Sequence, residues 1–591
     1  MTCETRQKRL DALRARQRVA VLVVGGGING ISTFRELALQ GIDVVLAERG
    51  DFMSGASSAP SRMIHGGLRY MENGEFALVR ESLNERNLLL RNAPHYVRPL
   101  PTAIPITDRL SGLFAAARRI LGGNPPPGNR GALVVKIGLT LYDWYAGRRS
   151  PLPRHRFFGR RETGRRWPDL AAPFRFVALY HDAAISYPER LGVEMVIDAE
   201  AASSSALAIN HVRFDGVEDG KAVLTDTVTG ERFALEPDVI VNATGAWVDL
   251  TNRLVDAGAP SLIGGTKGSH IVLDSPQLAR ALGDTMIYFA NRDGRVCIAF
   301  VHFGMVLAGS TDIPVVDPDA IRCEPEEVDY ILGSIREIFP RINVEEKDIV
   351  YRFSGVRPLP RSAADVTARI SRDHSVEWMP GTVPVLNLVG GKWTTFRAFG
   401  AEAADAVLAR LGRTRNRSTE TLAIGGGKDF PSGEAARAEW LEALAPSLQA
   451  TPAVVNALAT RYGSRAADLA PVLPSPPLVA LPDYSCAEIA WMATNEHVVT
   501  LEDLVLRRMS LPFSGTLSMA GIEEIAAIAA PVLGWTAAET RRQIDRLAEH
   551  LATCHGLDAQ SLTDRNTIRS DQHVPVQESP HEPPVRQRQM S

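Results

Sequence analysis

An unbroken apolar run, Val19 to Val24, leads directly into three glycines at G-x-G-x-x-G spacing, Gly25, Gly27 and Gly30. This junction constrains the chain more than any other stretch. The apolar run suits a strand buried on both faces of a parallel sheet. After the glycines, Ile31, Phe34, Leu37 and Ala38 fall on one side of a helix, and a second short run, Val44 to Ala47, ends at Glu48. Strand, tight turn and helix N-terminus together form a cradle for a pyrophosphate. Glycines let the backbone come close to phosphate oxygens, and unpaired amides with the helix dipole favour the anion. Glu48 stands near the ~20-residue offset expected of a carboxylate that accepts from a ribose hydroxyl. The stretch alone predicts a dinucleotide site, with NAD as plausible as FAD.

Composition narrows the remaining classes. The 591 residues have room for two to four domains at roughly 150 residues each. With 45% hydrophobic and 23% charged residues, the chain is of ordinary globular type, and a net charge of -3 gives no reason to expect nucleic acid as a partner. Cys3, Cys297, Cys323, Cys486 and Cys554 are scattered without a C-x-x-C pair. That argues against structural zinc, an iron–sulfur cluster or a disulfide framework, and no metal is expected. The basic, polar first eighteen residues lack the apolar core of a signal peptide, and no apolar run approaches the ~18 residues of a membrane span.

Residues 1–18 read as a basic extension, a short exposed helix or an irregular lead-in. Ser54 to Glu72 is too rich in Ser, Gly and Pro for regular structure and reads as a loop beside the ligand, carrying Ser57, Ser58, His65, Gly66, Gly67, Arg69 and Tyr70. Glu75 to Arg91 is helical. Leu110, Leu113, Phe114, Ala117, Ile120 and Leu121 share one helical face with basic neighbours, a pattern that favours packing on its own domain over the membrane interface it also suits. Residues 205–245 alternate strand and turn, with a hairpin tip at Thr229-Gly230, and end in a buried strand, Asp238 to Asn242, before Ala243-Thr244-Gly245. Further strands follow, then a helix near Glu326 to Phe339. A second strand–glycine–helix unit stands at Gly390-Gly391-Lys392. From about Ser418 the chain turns helical, with helices expected over Glu434–Leu444, Ala453–Tyr462, Cys486–Arg508, Ile522–Ala529 and Ala537–Leu551. Thr536 and Glu539 form a capping box for the last. Residues 557–591 read as a disordered tail.

GGGINGISTFRELALQGIDVVLAE, SRMIHGGLRYME, NATGAW, KGSH, GSTD, SGVRP and GGKWTTFR occur in this order. The series resembles the FAD-dependent glycerol-3-phosphate dehydrogenases over about residues 19 to 415, and more loosely into the helical region. The resemblance implies an α/β fold: a glutathione-reductase-like FAD domain, discontinuous in sequence, with an inserted β-rich substrate cap (19–415), plus a C-terminal α-helical domain (418–556). It further implies hydride transfer from C2 of the sugar-phosphate alcohol to flavin N5, with electrons passed to membrane quinone. A peripheral place on the inner face of the cell membrane follows, and a homodimer is admitted.

The resemblance also assigns residues. Gly25, Gly27, Gly30 and Glu48 are expected to hold the ADP half of FAD, with Ile28, Asn29, Arg49 and Val212 as further cofactor contacts. Ser57, Ser58, His65, Gly66 and Gly67 run beside the flavin, Ala243, Thr244 and Gly245 close over the nucleotide, and Gly391, Lys392 and Thr394 approach the ring. Arg69, Tyr70, Arg357, Arg372 and Lys392 are expected at the substrate, since a phosphate dianion in a closed pocket requires cations. His270 is expected to take the hydroxyl proton, with Arg357 polarising that hydroxyl. The chain departs from the family at Pro60, Arg62, His302-Phe303, Trp393 and Phe396, and in the GGNPPPGNR segment at 122–130. The pocket changes leave open a longer polyol phosphate, such as erythritol phosphate, and an oxidase passing electrons to oxygen is a close rival. A different class of answer is a catalytically idle flavoprotein that acts as a binding or scaffold module through its helical C-terminal region; the intact Arg69, Arg357 and Lys392 argue against it.

Overall fold

The computed structural model describes residues 3–72, 74–109, 131–147, 150–291, 293–319, 321–361 and 373–566. The apolar run forms the strand Arg18–Val24, which has parallel neighbours on both sides, Val44–Ala47 and Arg232–Asn242. Leu207–Ile209 and Val385–Gly390 extend the parallel set outward, and His374–Met379 closes one edge antiparallel. Alternation along the central strand sends its side chains to two separate cores. Val21 and Val23 meet Ile31, Phe34 and Leu37 of the helix Ile28–Leu39. Leu22 and Val24 meet Leu10 and Leu13 of the helix Cys3–Ala15. Each such buried side chain contributes about 1.5–3 kcal/mol.

The N-terminal segment is therefore a packed helix rather than an exposed one. Leu10 and Leu13 are each 1% exposed, and Arg6 pairs with Asp226 at 2.9 Å. The apolar spacing was too sparse to reveal this, because two leucines three apart suffice once a sheet face lies beneath them.

The second sheet has ten strands. Its central feature is a long antiparallel pair, Ile263–Leu273 with Ile349–Pro360, in which Thr266 faces Arg357 and His270 faces Phe353. The helix Pro325–Ile338 covers this sheet, opened by a reciprocal capping box of Glu324 and Glu327. Ser54–Glu72, expected as loop throughout, holds a short turn Ala56–Ser58, a two-residue strand Met63–Ile64 and a helix Leu68–Glu72. Met63–Ile64 pairs with the end of Phe176–Ile185, a tertiary contact that overrides loop-like composition.

Beyond Ser418, the helices Glu434–Leu448, Pro452–Tyr462, Met519–Leu533 and Ala537–His555 match the periodic segments. The expected Cys486–Arg508 helix is broken. It stops at Asn495, passes His497 at φ 55, and resumes as a wide turn, Asp503–Arg508. The break lies where this region meets the first sheet: the His497 carbonyl accepts from Asn210 Nδ2 at 2.7 Å, and Asp503 accepts from the amides of Val499 and Thr500. Thr536 caps its helix through the Glu539 amide, but the Glu539 carboxylate turns to Arg542 and Gln543, so only half of the expected box forms. Part of the expected disordered tail is ordered, as the helix Ala559–Asp564. The 110–121 helix, the 122–130 insertion, Arg372 and residues 567–591 lie outside the described residues.

Candidate active site

One cavity of about 1030 Å³ runs between the two sheets and reaches the C-terminal region. It sits at the carboxyl ends of the parallel strands, where ligands of open α/β sheets bind. Its volume is at the upper end of the ~300–1,000 Å³ usual for ligand pockets. Gly25, Gly27, Ile28, Asn29, Glu48, Arg49, Ser57, Ser58, His65, Tyr70, Val212, Ala243, Thr244, Gly245, His270, Arg357, Gly391, Lys392 and Thr394 all line it.

The nucleotide end is built by backbone proximity. At Gly25 (φ 106) a Cβ would stand 2.7 Å from the Ala243 carbonyl oxygen. The Ile28 amide donates to Ser57 Oγ at 2.9 Å, tying the serine loop to the helix start. Glu48 accepts from the amides of Gly26 at 2.6 Å and Gly50 at 2.8 Å. Burial raises its carboxyl pKa, with these amides opposing the shift. Two amides leave lone pairs on the carboxylate for a ribose hydroxyl. Asn29 Oδ1 is buried with no hydrogen-bond partner among the described residues. An orphaned acceptor at a glycine-lined helix start fits an extended dinucleotide. Arg49, by contrast, pairs with Asp319 at 2.7 Å and lies 4.6 Å from the Trp247 ring, at the rim.

Three expected cofactor contacts do not line the cavity. A Cβ on Gly30 would collide with the Gly25 carbonyl, so its bareness serves helix–strand packing. Gly66 lies against Tyr142 and Leu83 and donates its amide to Asp182 at 2.9 Å. Gly67 (φ 79) sits against the Tyr70 ring. These glycines shape the loop from behind. Arg69 has its backbone in the helix Leu68–Glu72, and its side chain lies outside the described residues.

The cationic end is carried by the antiparallel pair. Arg357 donates to Asp312 at 2.9 Å, Ser310 Oγ at 3.0 Å and the Thr311 carbonyl at 3.2 Å. Gly268 on the facing strand has no side chain, and a Cβ there would strike the guanidinium. His270 is 3% exposed, and neither ring nitrogen has a hydrogen-bond partner among the described residues. Burial, then the charges of Arg357 and Arg62, push its pKa down to about 3. The Lys392 ammonium lies 4.0 Å from the Tyr70 ring centroid and 3.4 Å from Ser82 Oγ. Trp393 Nε1 donates to the Ser57 carbonyl at 3.1 Å, joining the second glycine turn to the serine loop.

Among the described residues, Glu81, Asp373 and His374 are close enough to hold a cation. His374 Nε2 lies 3.2 Å from Glu402, while burial raises the Glu81 pKa against the opposing charges of His374 and Lys392. The group reads as an ion network beside Lys392. Of the departures from the family, Pro60 and Trp393 line the cavity; Arg62, His302, Phe303 and Phe396 do not. Arg62 instead forms a fully buried two-pronged pair with Glu189, at 2.8 and 2.7 Å. Sequence reasoning missed the late-chain lining: Asp503, Arg507, Phe513, His550, Cys554 and His555. No local pattern singles these residues out.

The model for FAD-dependent oxidoreductases matches residues 20–406, and that for the C-terminal domain of alpha-glycerophosphate oxidase matches 417–540. Glycerol-3-phosphate dehydrogenase of Synechocystis sp. is 31% identical over 559 residues, covering 90% of this chain and 96% of the relative. Glycerol-3-phosphate dehydrogenase 2 of Mycobacterium tuberculosis is 30% identical over 89% of this chain and 86% of its own length. The fold is shared with the FAD complex of glycerol-3-phosphate dehydrogenase from Bacillus halodurans, with a TM-score of 0.71 at 22% identity over 94% of this chain and 99% of that one. A flavin-dependent oxidoreductase is thus the class that fold and cavity define. Within that class, the chain belongs to the FAD-dependent glycerol-3-phosphate dehydrogenase family.

Proposed function

We propose that this flavoenzyme oxidises sn-glycerol 3-phosphate at C2 to dihydroxyacetone phosphate and delivers the electrons to a membrane quinone. The observation that carries the reading is His270, buried in the cavity wall with both ring nitrogens unpartnered among the described residues, beside Arg357. Gly25, Gly27, Asn29, Glu48, Thr244 and Gly391 would hold FAD, which supplies the hydride acceptor when bound. Lys392, with Arg69 and Arg372 on the strength of the resemblance, offsets the phosphate charge. Asp312 already offsets part of the Arg357 charge, which suits that guanidinium to the C2 oxygen rather than to the dianion.

A histidine with a pKa of about 3 is a weak base. As C2 loses its hydride, however, its hydroxyl takes on the character of a protonated carbonyl and becomes strongly acidic. A neutral imidazole then accepts the proton readily, and the depressed pKa ensures that it is neutral when substrate arrives. Arg357→Ala is expected to retain FAD and to lose about 10²–10³-fold in the rate of flavin bleaching by glycerol 3-phosphate under anaerobic conditions. An unchanged rate refutes the site. Running the same assay with erythritol phosphate, and turnover with a quinone analogue against oxygen, separates the longer-substrate and oxidase alternatives.

Contact with a membrane surface is part of this reading, and an exposed apolar stripe supports it. Leu133, Ile137, Leu141 and Trp144 of the helix Ala132–Ala146 are 43%, 52%, 41% and 72% exposed and recur at helical spacing. No helix of the described residues is long and apolar enough to cross a membrane, so this stripe would lie in the interface. Equal vesicle flotation of wild type and an Ile137→Glu, Trp144→Glu variant removes the stripe from the account.

A further inference from the structure

The His270 ring is not oriented by hydrogen bonds to the described residues, because both its nitrogens lack them. It is held by faces. On one side it stacks on Phe353, with centroids 5.1 Å apart and planes 10° from parallel. On the other it meets the bare backbone of Gly309, where a Cβ would stand 2.5 Å from the ring. The position of Phe353 therefore decides where the imidazole points.

Phe353 is itself held from the late part of the chain. The Phe513 ring meets it edge-on at 5.3 Å and meets Tyr351 at 5.2 Å. Tyr351 stacks on Phe353 at 5.8 Å and on His555 at 4.7 Å, and His555 Nδ1 is fixed at 2.9 Å from the Arg352 carbonyl. Phe513 also lies 4.2 Å beneath the guanidinium of Arg62, whose charge reaches His270. One ring thus braces the stack behind the histidine.

We infer that Phe513 is a positioning residue of the oxidation: through Phe353 it fixes the His270 ring, and so makes the C-terminal helical region a working part of the active site. The inference rests on the reading of His270 as the group that takes the hydroxyl proton. Loss of placement acts on the chemical step more than on binding, because phosphate and cofactor are held by other residues. A misplacement of about 1 Å at a reacting group can cost about 10²-fold.

The test compares three variants of the full-length, FAD-loaded enzyme. Phe513→Leu is expected to lower kcat by about 10- to 100-fold, with KM for glycerol 3-phosphate and FAD content within about threefold of wild type. Phe513→Tyr, which keeps the ring faces, is expected to restore kcat to within about threefold. A Phe513→Leu enzyme with unchanged kcat overturns the inference. So does an equal loss in Phe513→Leu and Phe513→Tyr, or a rise in KM alone. Should Phe513→Leu not load FAD, Phe513→Met is judged by the same criteria. The third variant, His270→Gln, separates the two levels. Full turnover there sinks the proton-acceptor reading itself, whereas loss in His270→Gln with none in Phe513→Leu sinks only the positioning role.

Discussion

The interior of the parallel sheet and its seam with the C-terminal region are buried to the same degree by opposite means. Inside the sheet the contacts are hydrocarbon, with Val21, Leu22, Val23, Ile31 and Phe34 all fully buried. Along the seam they are charges. Arg508 binds Asp51 through two bonds of 2.6 and 3.0 Å, and Arg190 binds Glu496 at 2.9 and 2.7 Å, with every partner buried. Hydrocarbon tolerates small shifts in register, whereas a buried ion pair is costly in every arrangement but the correct one. The sheet interior supplies stability; the seam settles where the helical region sits, and hence where Phe513 lies.

The sharpest way to break this contrast is Arg508→Ala. It leaves Asp51 buried without its counter-charge, with only the Asn210 amide among the described residues still donating to it, and is expected to cost about 3–5 kcal/mol in denaturant unfolding. The double variant Arg508→Met, Asp51→Leu is expected to recover most of that stability. If it remains as unstable as the single variant, the pair contributes energy and not only placement.

A second test uses acid. Burial, foremost, lowers the pKa of His270, His302 and His555 to about 3 from an ordinary 6.5. Between these values the unfolded chain binds protons that the folded chain refuses, so stability falls as pH falls from about 6.5 toward 3. Each histidine contributes up to about 1.4 kcal/mol per pH unit in that window. His302→Gln should flatten the decline in melting temperature over that window, and an unchanged slope would contradict the assignment. The hydrocarbon side is gentler: Ile31→Val is expected to cost about 0.5–1.5 kcal/mol. Thr536→Ala, which removes a helix cap far from both regions, is expected to cost about 0.5–1 kcal/mol in the same unfolding measurement.

The contrast also explains what could be read in advance. The strand–glycine–helix unit was legible because its signals are local: an apolar run, three glycines and a helical period within a few turns of chain. Motif order placed His270 and Arg357 in the same cavity. Gly30, Gly66 and Gly67 stand against protein groups rather than along the cavity, and sequence does not separate the two cases: a glycine that admits a phosphate looks the same as one that admits a neighbouring helix, loop or ring. Arg508 and Asp51, 457 residues apart, each look like solvated surface until the fold pairs them. Phe513 sits in a short Ser-Leu-Pro-Phe-Ser stretch without period. The break at His497 carries no local signal, because the residues around it suit a helix well enough alone.

The parallel sheet draws strands from Arg18–Val24, Val44–Ala47, Leu207–Ile209, Arg232–Asn242 and Val385–Gly390. A ribosome adding about 5–20 residues per second spends roughly 20–70 s between the first of these and the last. For that interval the apolar strand at the centre of the sheet is in the cell without its full set of neighbours. Newborn copies of this enzyme should therefore depend on chaperones during synthesis far more than the finished molecule does after it.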